Sequence, residues 1–281
     1  MKTGTDGKLH LRFSKAETPK LHVKVQKPPL RVIRAFEHQG DVALVHMHNV
    51  SGGVLGGDQF DIQIDLDPEA HGMVTTTGAN RIYRHRDGYR TATQTMRVHC
   101  AADSVFEYIP DSTIPFANSK YQQTSDIHLT KGAKLFWTEL LAPGREAFDE
   151  RFSWESMAND LRITAAGRPI LIEKWQLNPA DVPIESLALM GHWAHNATFV
   201  VAHCGASSQQ ILELEAALTE LAQAHSDVDT VLGVSRLVRD GVLVRGMSTV
   251  GRKLPHLLEK FHNCARLMLL GKRLIRPRKI Y

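Results

Sequence analysis

"VALVHMHNVSGGVLGGDQFDIQIDL", Val42 to Leu66, is the stretch on which the fold turns. Its first seven residues read as a strand, and the glycine pairs Gly52-Gly53 and Gly56-Gly57 then flank Val54-Leu55, with Asp58 close behind. A glycine-rich loop after a strand cradles phosphate when a helix follows, because the helix N-terminus supplies amides to the anion. Here "FDIQIDL", Phe60 to Leu66, follows and alternates apolar with polar residues at period two. That pattern is a strand. No Gly-Lys-Ser/Thr appears either, so neither a dinucleotide fold nor a P-loop is supported. The four glycines read instead as a tight strand-to-strand crossing, through positive φ or close backbone approach.

Outward from this stretch the same alternation recurs. "LHVKVQ", "TATQTMRVH", "SVFEYI", "KLFWTEL", "LRITAAG" and "PILIEKW" are strand-like, and turn signals such as Asp67-Pro68, Asp87-Gly88 and Lys131-Gly132 separate the segments. Short strands without helical patterns between them predict an antiparallel β architecture rather than βαβ units. Two segments differ. "SSQQILELEAALTELAQAHSD" carries apolar residues at helical spacing behind Ser207 as N-cap, and "LPHLLEKFHNCARLMLLGKRL" predicts a second helix from about Pro255 to Leu270, with Gly271 near its end. Between them "VLGVSRLVRDGVLVRGMS" reads as a hairpin turning at Asp240-Gly241. The expected fold is therefore mainly β, an antiparallel β-rich scaffold of layered sheets or β-helix-like form, with two α-helices in the C-terminal third. With no internal repeat and no low-complexity linker, residues 1–281 are expected to form one domain.

Composition excludes more than it proposes. The 281 residues carry a net charge of +4, 43% hydrophobic and 23% charged residues, ordinary for a soluble globular chain. The basic excess is too small to argue for nucleic acid, and only "GKRLIRPRKIY" concentrates it, as a solvated tail or a protein contact. No signal-peptide h-region and no long apolar run argue against export or a membrane. Cys100, Cys204 and Cys264 are odd in number and widely spaced, so a reducing, cytoplasmic setting is expected.

Candidate chemistry is sparse. His46 and His48 share one strand face, where two imidazoles could take nickel or zinc weakly or simply form a polar face. With a nearby carboxylate they would make a β-rich metal-dependent hydrolase, the alternative reading. No G-x-S-x-G elbow and no thiol-protease signature appear, so no catalytic residue is assigned.

"NVSGGVLGGDQF", "VTTTGANRIYRH", "FEYIPDSTIPFANSKYQQ", "ELLAPGREAFDERF" and the closing "RPRKIY" resemble, in order, the signature segments of the urease accessory protein D family, also called H. The resemblance is dense from about Asn49 to Phe152 and resumes at the C-terminus. It departs at Asp149, where the family usually has glycine, and at Tyr281, where it usually has tryptophan. What it implies is a non-enzymatic scaffold for urease maturation, mostly β with a helical pair near the C-terminus. Such proteins bind the urease apoprotein and accessory protein F, which recruits the GTPase G, for nickel insertion. The family implies a polar passage for nickel, for which Asp58, Thr75, Thr76, Tyr83, Glu107, Asp111 and Glu139 are the candidates here. Leu257, Phe261, Arg276 and Arg278 are candidates for contact with F. No tightly bound cofactor is expected, only transient Ni²⁺, with His46 and His48 as its weak ligands and Asp58 nearby.

Overall fold

The computed structural model describes residues 4–15, 20–275 and 277. A hairpin of β1 (Asp6–Ser14) and β2 (Lys20–Lys27) opens the chain, and the short β3 (Leu30–Arg31) and β4 (Ala35–His38) lie on β5 (Val42–Asn49). The chain then winds through β6 (Gln59–Leu66), β7 (His71–Thr76), β8 (Asn80–Ile82), β9 (Ala92–Cys100) and β10 (Val105–Ile109). It continues through β11 (Thr113–Pro115), β12 (Lys120–Leu129), β13 (Lys134–Leu141) and β14 (Ser156–Ala165). The last third holds β15 (Arg168–Leu177), β16 (His195–His203), α1 (Ser208–His225), β17 (Thr230–Arg236), β18 (Gly241–Ser248) and α2 (Lys253–Leu270).

Successive long strands of the winding part alternate between two sheets. One sheet runs β15-β14-β12-β9-β6-β1-β2, and the other runs β17-β18-β16-β13-β10-β7-β5-β3. Mainly β with two late helices is what the sequence predicts, and the β-helix-like form is the one adopted. The antiparallel expectation is corrected: β14, β12, β9, β6 and β1 run parallel, as do β13, β10, β7 and β5. Antiparallel pairing is confined to β2, β15, the β16-β18-β17 group and the short β3 and β4.

The reason lies in the turns. Residues 67–70, 101–104 and 130–133 carry the chain from one sheet across to the other, so consecutive strands face each other instead of pairing. Each turn has its third residue at positive φ: Glu69 at 60°, Asp103 at 58°, Gly132 at 78°. The turns stack, with Glu69 N–H donating to Ala102 O (2.9 Å) and Asp103 N–H to Lys131 O (3.1 Å). Four-residue turns between alternating strands look alike in sequence whether they close a hairpin or a coil.

Burial follows from the layers. Strands of the first sheet bury alternate residues, as in β6 (Phe60, Ile62, Ile64, Leu66), because their other face meets solvent. The central strands of the second sheet are covered on both faces, so β5 buries Val42 to Met47 in succession and β13 buries Leu135 to Thr138. Their inner side shares a core with the first sheet through Val45, Val74, Phe106, Leu135 and Trp137. Phe136, Phe199, Val201 and Val244 on the outer side pack against Ile211, Leu214 and Leu218 of α1 and Leu254, Leu258 and Phe261 of α2. Ser207 caps α1 in a capping box with Gln210, and Gly271 ends α2 at φ 65°, as the sequence predicts. Among the described residues no helix is long and apolar enough to cross a membrane.

Candidate functional site

Short turns gather at one end of the winding part, so the long connections fall together at the other. They are residues 50–58, 77–91, 110–119 and 142–155, which hold the cores of the first four signature segments. Their backbones extend the parallel stack. Val54 N–H donates to Arg81 O (2.8 Å), Phe116 N–H to Ile82 O (2.9 Å), and Asn118 N–H to Ser153 O (2.8 Å). The glycines divide by role. A Cβ on Gly53 would sit 2.5 Å from Arg81 O and 2.6 Å from the Tyr83 ring, so close approach demands this glycine. Gly52 and Gly57 take positive φ, whereas a Cβ at Gly56 would meet nothing nearer than 3.4 Å. Asp58 closes the loop, its buried carboxylate accepting from Thr5 N (2.8 Å) and Leu55 N (2.9 Å).

Beneath these loops, between the two sheets, lies a cavity of about 420 Å³. Its polar wall comes from one rung of the first sheet, where Phe60, Gln94, Gln123, Asn159 and Trp175 stand side by side. Across from this rung β13 presents Glu139. Its carboxylate accepts from Gln123 Nε2 (3.1 Å) and Asn159 Nδ2 (2.9 Å), so its partners are amides rather than cations. Burial pushes the Glu139 carboxyl up to about 7, and the neighbouring charge of Glu173 adds to this against the hydrogen bonds from Asn159 and Gln123. Burial also raises the Tyr108 and Tyr121 hydroxyls, which keeps them neutral.

A second cavity of about 90 Å³ adjoins the first, sharing Pro110, Asp111 and Leu140, and lies under α2 beside Leu258 and His262. Of the passage candidates, Thr76, Asp111 and Glu139 line the larger cavity, and Thr75 with Asp111 lines the smaller. Asp58, Tyr83 and Glu107 line neither. Tyr83 packs edge-on against Phe116 in the loops (4.9 Å). Glu107 is fully buried and bound by His262 Nε2 (2.6 Å), His71 Nε2 (2.5 Å) and Arg266. Burial alone would raise its carboxyl; the hydrogen bonds from His262 and His71 overcome this and hold it well below the usual range.

The metal expectation loses its third ligand. His46 and His48 alternate with Met47, whose side chain joins the inter-sheet core, so both rings project from the opposite face of β5, where Phe36 meets His46 edge-on at 5.6 Å. Asp58 is committed to its own loop. Among the described residues no group of three or more His, Cys, Asp or Glu side chains could hold a metal, and the hydrolase reading is not supported. Of the two contact candidates on α2, Leu257 keeps partial exposure and Phe261 keeps none. Phe261 is wholly buried against the sheet and Leu257 is packed beside it; the exposed apolar residues of that helix are Leu267 and Met268. Arg276 and Arg278 lie outside the described residues.

Sequence reading misses Gln94, Gln123 and Asn159. Their signal is a polar residue in the buried phase of a strand, as Gln94 is between Ala92 and Met96. That phase is visible only once the strand's buried face is chosen.

Two sheets wound in parallel rungs, roofed at one end by four interlocking loops over a polar cavity, define a β scaffold with a polar interior. The chain belongs to the UreD urease accessory protein family, whose model it matches over residues 5–280. It is 39% identical over 277 residues to the urease accessory protein UreD of Herpetosiphon aurantiacus, covering 98% of this chain and 96% of that one. It is 29% identical over 174 residues to the urease accessory protein UreH of Helicobacter hepaticus, covering 62% and 68%, and 24% identical over 250 residues to UreD of Bacillus sp. strain TB-90, covering 89% of each. Its role lies in urease maturation.

Proposed function

We propose that this chain is a non-catalytic scaffold that binds the urease apoprotein and accessory protein F, through which the GTPase G is recruited, and that Ni²⁺ crosses it as cargo. The observation that carries the reading is Glu139, a carboxylate with no cationic partner among the described residues, in a polar cavity roofed by four of the family's signature segments. Such a group holds a divalent ion loosely, through one carboxylate, amide oxygens and water, and a loose site is what transfer requires. No cofactor is retained. His46 and His48 line neither cavity and fall outside this route.

Co-expression of the tagged chain with the urease subunits and accessory proteins tests it. Apoprotein and F should be retrieved together, and a strain lacking the chain should make inactive urease at ordinary nickel concentration. Normal activity in that strain ends the proposal.

A further inference from the structure

The closing signature segment stands apart from the other four. Its described residue, Pro277, lies buried against the smaller cavity and not in the roof over the larger one. The chain reaches this point by doubling back. Gly271 ends α2 at φ 65°, Leu274 N–H donates to Asn263 Oδ1 (3.0 Å), and Pro277 shares the cavity wall with Pro255 near the start of the helix. Lys272 to Ile275, with Pro277, thus form a tail laid along α2.

What holds this tail is unlike what holds the sheets. Among the described residues it makes no backbone–backbone hydrogen bond. Side chains of the β4–β5 hairpin meet it instead. His38 Nε2 donates to Ile275 O (2.9 Å), Gln39 Nε2 donates to Arg273 O (2.7 Å), and Asp41 pairs with Lys272, all of them exposed contacts. Leu274 is the apolar grip, packed on the small cluster of Val42, Leu44 and Met73, which is separate from the two larger cores. A segment with few buried contacts and solvent-exposed hydrogen bonds opens at far lower cost than the fold around it. The hairpin does not depend on the tail. Gln39 and Gly40 make its turn at φ 55° and 81°, and Gln39 Oε1 accepts from Arg266 Nη2 (2.7 Å), while Arg266 in turn binds Glu107. Lifting the tail breaks none of these contacts.

We infer that the tail is a strap that closes the smaller cavity at rest, and that nickel passes on the α2 side only when the strap lifts. Thr75 and Thr138 of the sheet, Leu258 and His262 of α2, and Leu274 and Pro277 of the tail wall this cavity, so lifting the tail takes one wall away. Through Pro110, Asp111 and Leu140 the opening continues into the larger cavity. The inference rests on the scaffold reading and gives its route a closed state.

The test follows entry of a small thiol reagent into the smaller cavity of the purified chain. Thr138, buried on the cavity wall, becomes the reporter as Thr138→Cys in a Cys264→Ser background, which leaves the buried Cys100 and Cys204. Adding His38→Ala/Asp41→Ala/Leu274→Ala should speed modification at position 138 by about tenfold or more while Cys100 reacts as slowly as before. If that triple does not fold, the pair His38→Ala/Asp41→Ala gives the same readout. A second arm keeps Thr138 and bridges Asp41→Cys to Lys272→Cys with a short bifunctional maleimide, since the native side chains touch. The bridged chain should still bind the apoprotein and F but activate urease several-fold less at limiting nickel than the same variant left unbridged. An unchanged rate at position 138 would overturn the inference. Equal acceleration at Cys100 would do the same, because the tail would then belong to the cooperative fold. Normal activation by the bridged chain would also overturn it, and in each case the scaffold reading stands. Active urease in a strain without the chain sinks that reading instead.

Discussion

Single atoms decide how the loop end is built. A methyl group at Gly53 meets a backbone carbonyl and a packed ring, neither of which yields, whereas the same group at Gly56 finds ordinary contact distances. Gly53→Ala should therefore cost about 1–3 kcal/mol, the usual range for overpacking, and Gly56→Ala nearly nothing. Thermal melting of the two variants checks this, and equal melting points would remove the distinction. Glu139 makes the opposite kind of prediction. Its folded-state carboxyl is raised to about 7, so between the ordinary glutamate range and that value the folded chain holds a proton that the unfolded chain releases. Stability must fall as pH rises through that window. Glu139→Gln should abolish this slope and gain about 1–2 kcal/mol near neutral pH, after discounting for solvent reaching the cavity. An unchanged pH profile of melting would mean the carboxylate is better solvated than its amide partners suggest. The four glycines are conspicuous in sequence, yet which one answers to contact and which to φ depends on Arg81 and Tyr83, some thirty residues away.

At the scale of elements, α2 is held to the sheet by more than its apolar face. Phe261 fills the space against Phe136 and Phe199, while His262 and Arg266, one turn apart, reach through to Glu107 on β10. Phe261→Ala should cost about 3–5 kcal/mol. Arg266→Met should cost a similar amount, because it strips a buried carboxylate of its full positive charge. For Glu107 the folded-state carboxyl is lowered, so its contribution is present above the ordinary glutamate range and is lost as pH falls below it. Acid unfolding of Arg266→Met should therefore begin at higher pH than in the wild type. If it begins at the same pH, the two histidines alone carry the cluster. Both helices and the Asp240-Gly241 hairpin are legible in sequence because caps, helical period and turn residues are local signals. Strand direction is not. A parallel rung is written by partners about thirty residues apart, as Phe60, Gln94, Gln123 and Asn159 are, and no window of sequence contains two of them. Glu107 in "FEYI" looks like any polar residue of a half-exposed strand until α2 is seen to cover that face.

Across the whole molecule the two cavities matter more together than apart. The larger lies between the sheets under the signature loops, the smaller between the second sheet and α2, and Pro110, Asp111 and Leu140 are common to both. The second sheet therefore has polar space on either face at one place, where β10 runs into the 110–119 connection. If nickel crosses from one cavity to the other it passes this junction, and Leu140 is an apolar side chain that lines both. Leu140→Trp should fill the junction, leave the apoprotein and protein F bound, and lower urease activation several-fold at limiting nickel. Excess nickel should restore part of the loss, since the urease protein itself is intact. Leu140→Ala widens the same point and should activate at least as well as the wild type. Activation kinetics across a nickel titration, with co-purification of both partners as the folding control, separate the cases. A stably folded Leu140→Trp chain that activates urease normally at every nickel concentration would show that the ion does not take this route, whatever lines it.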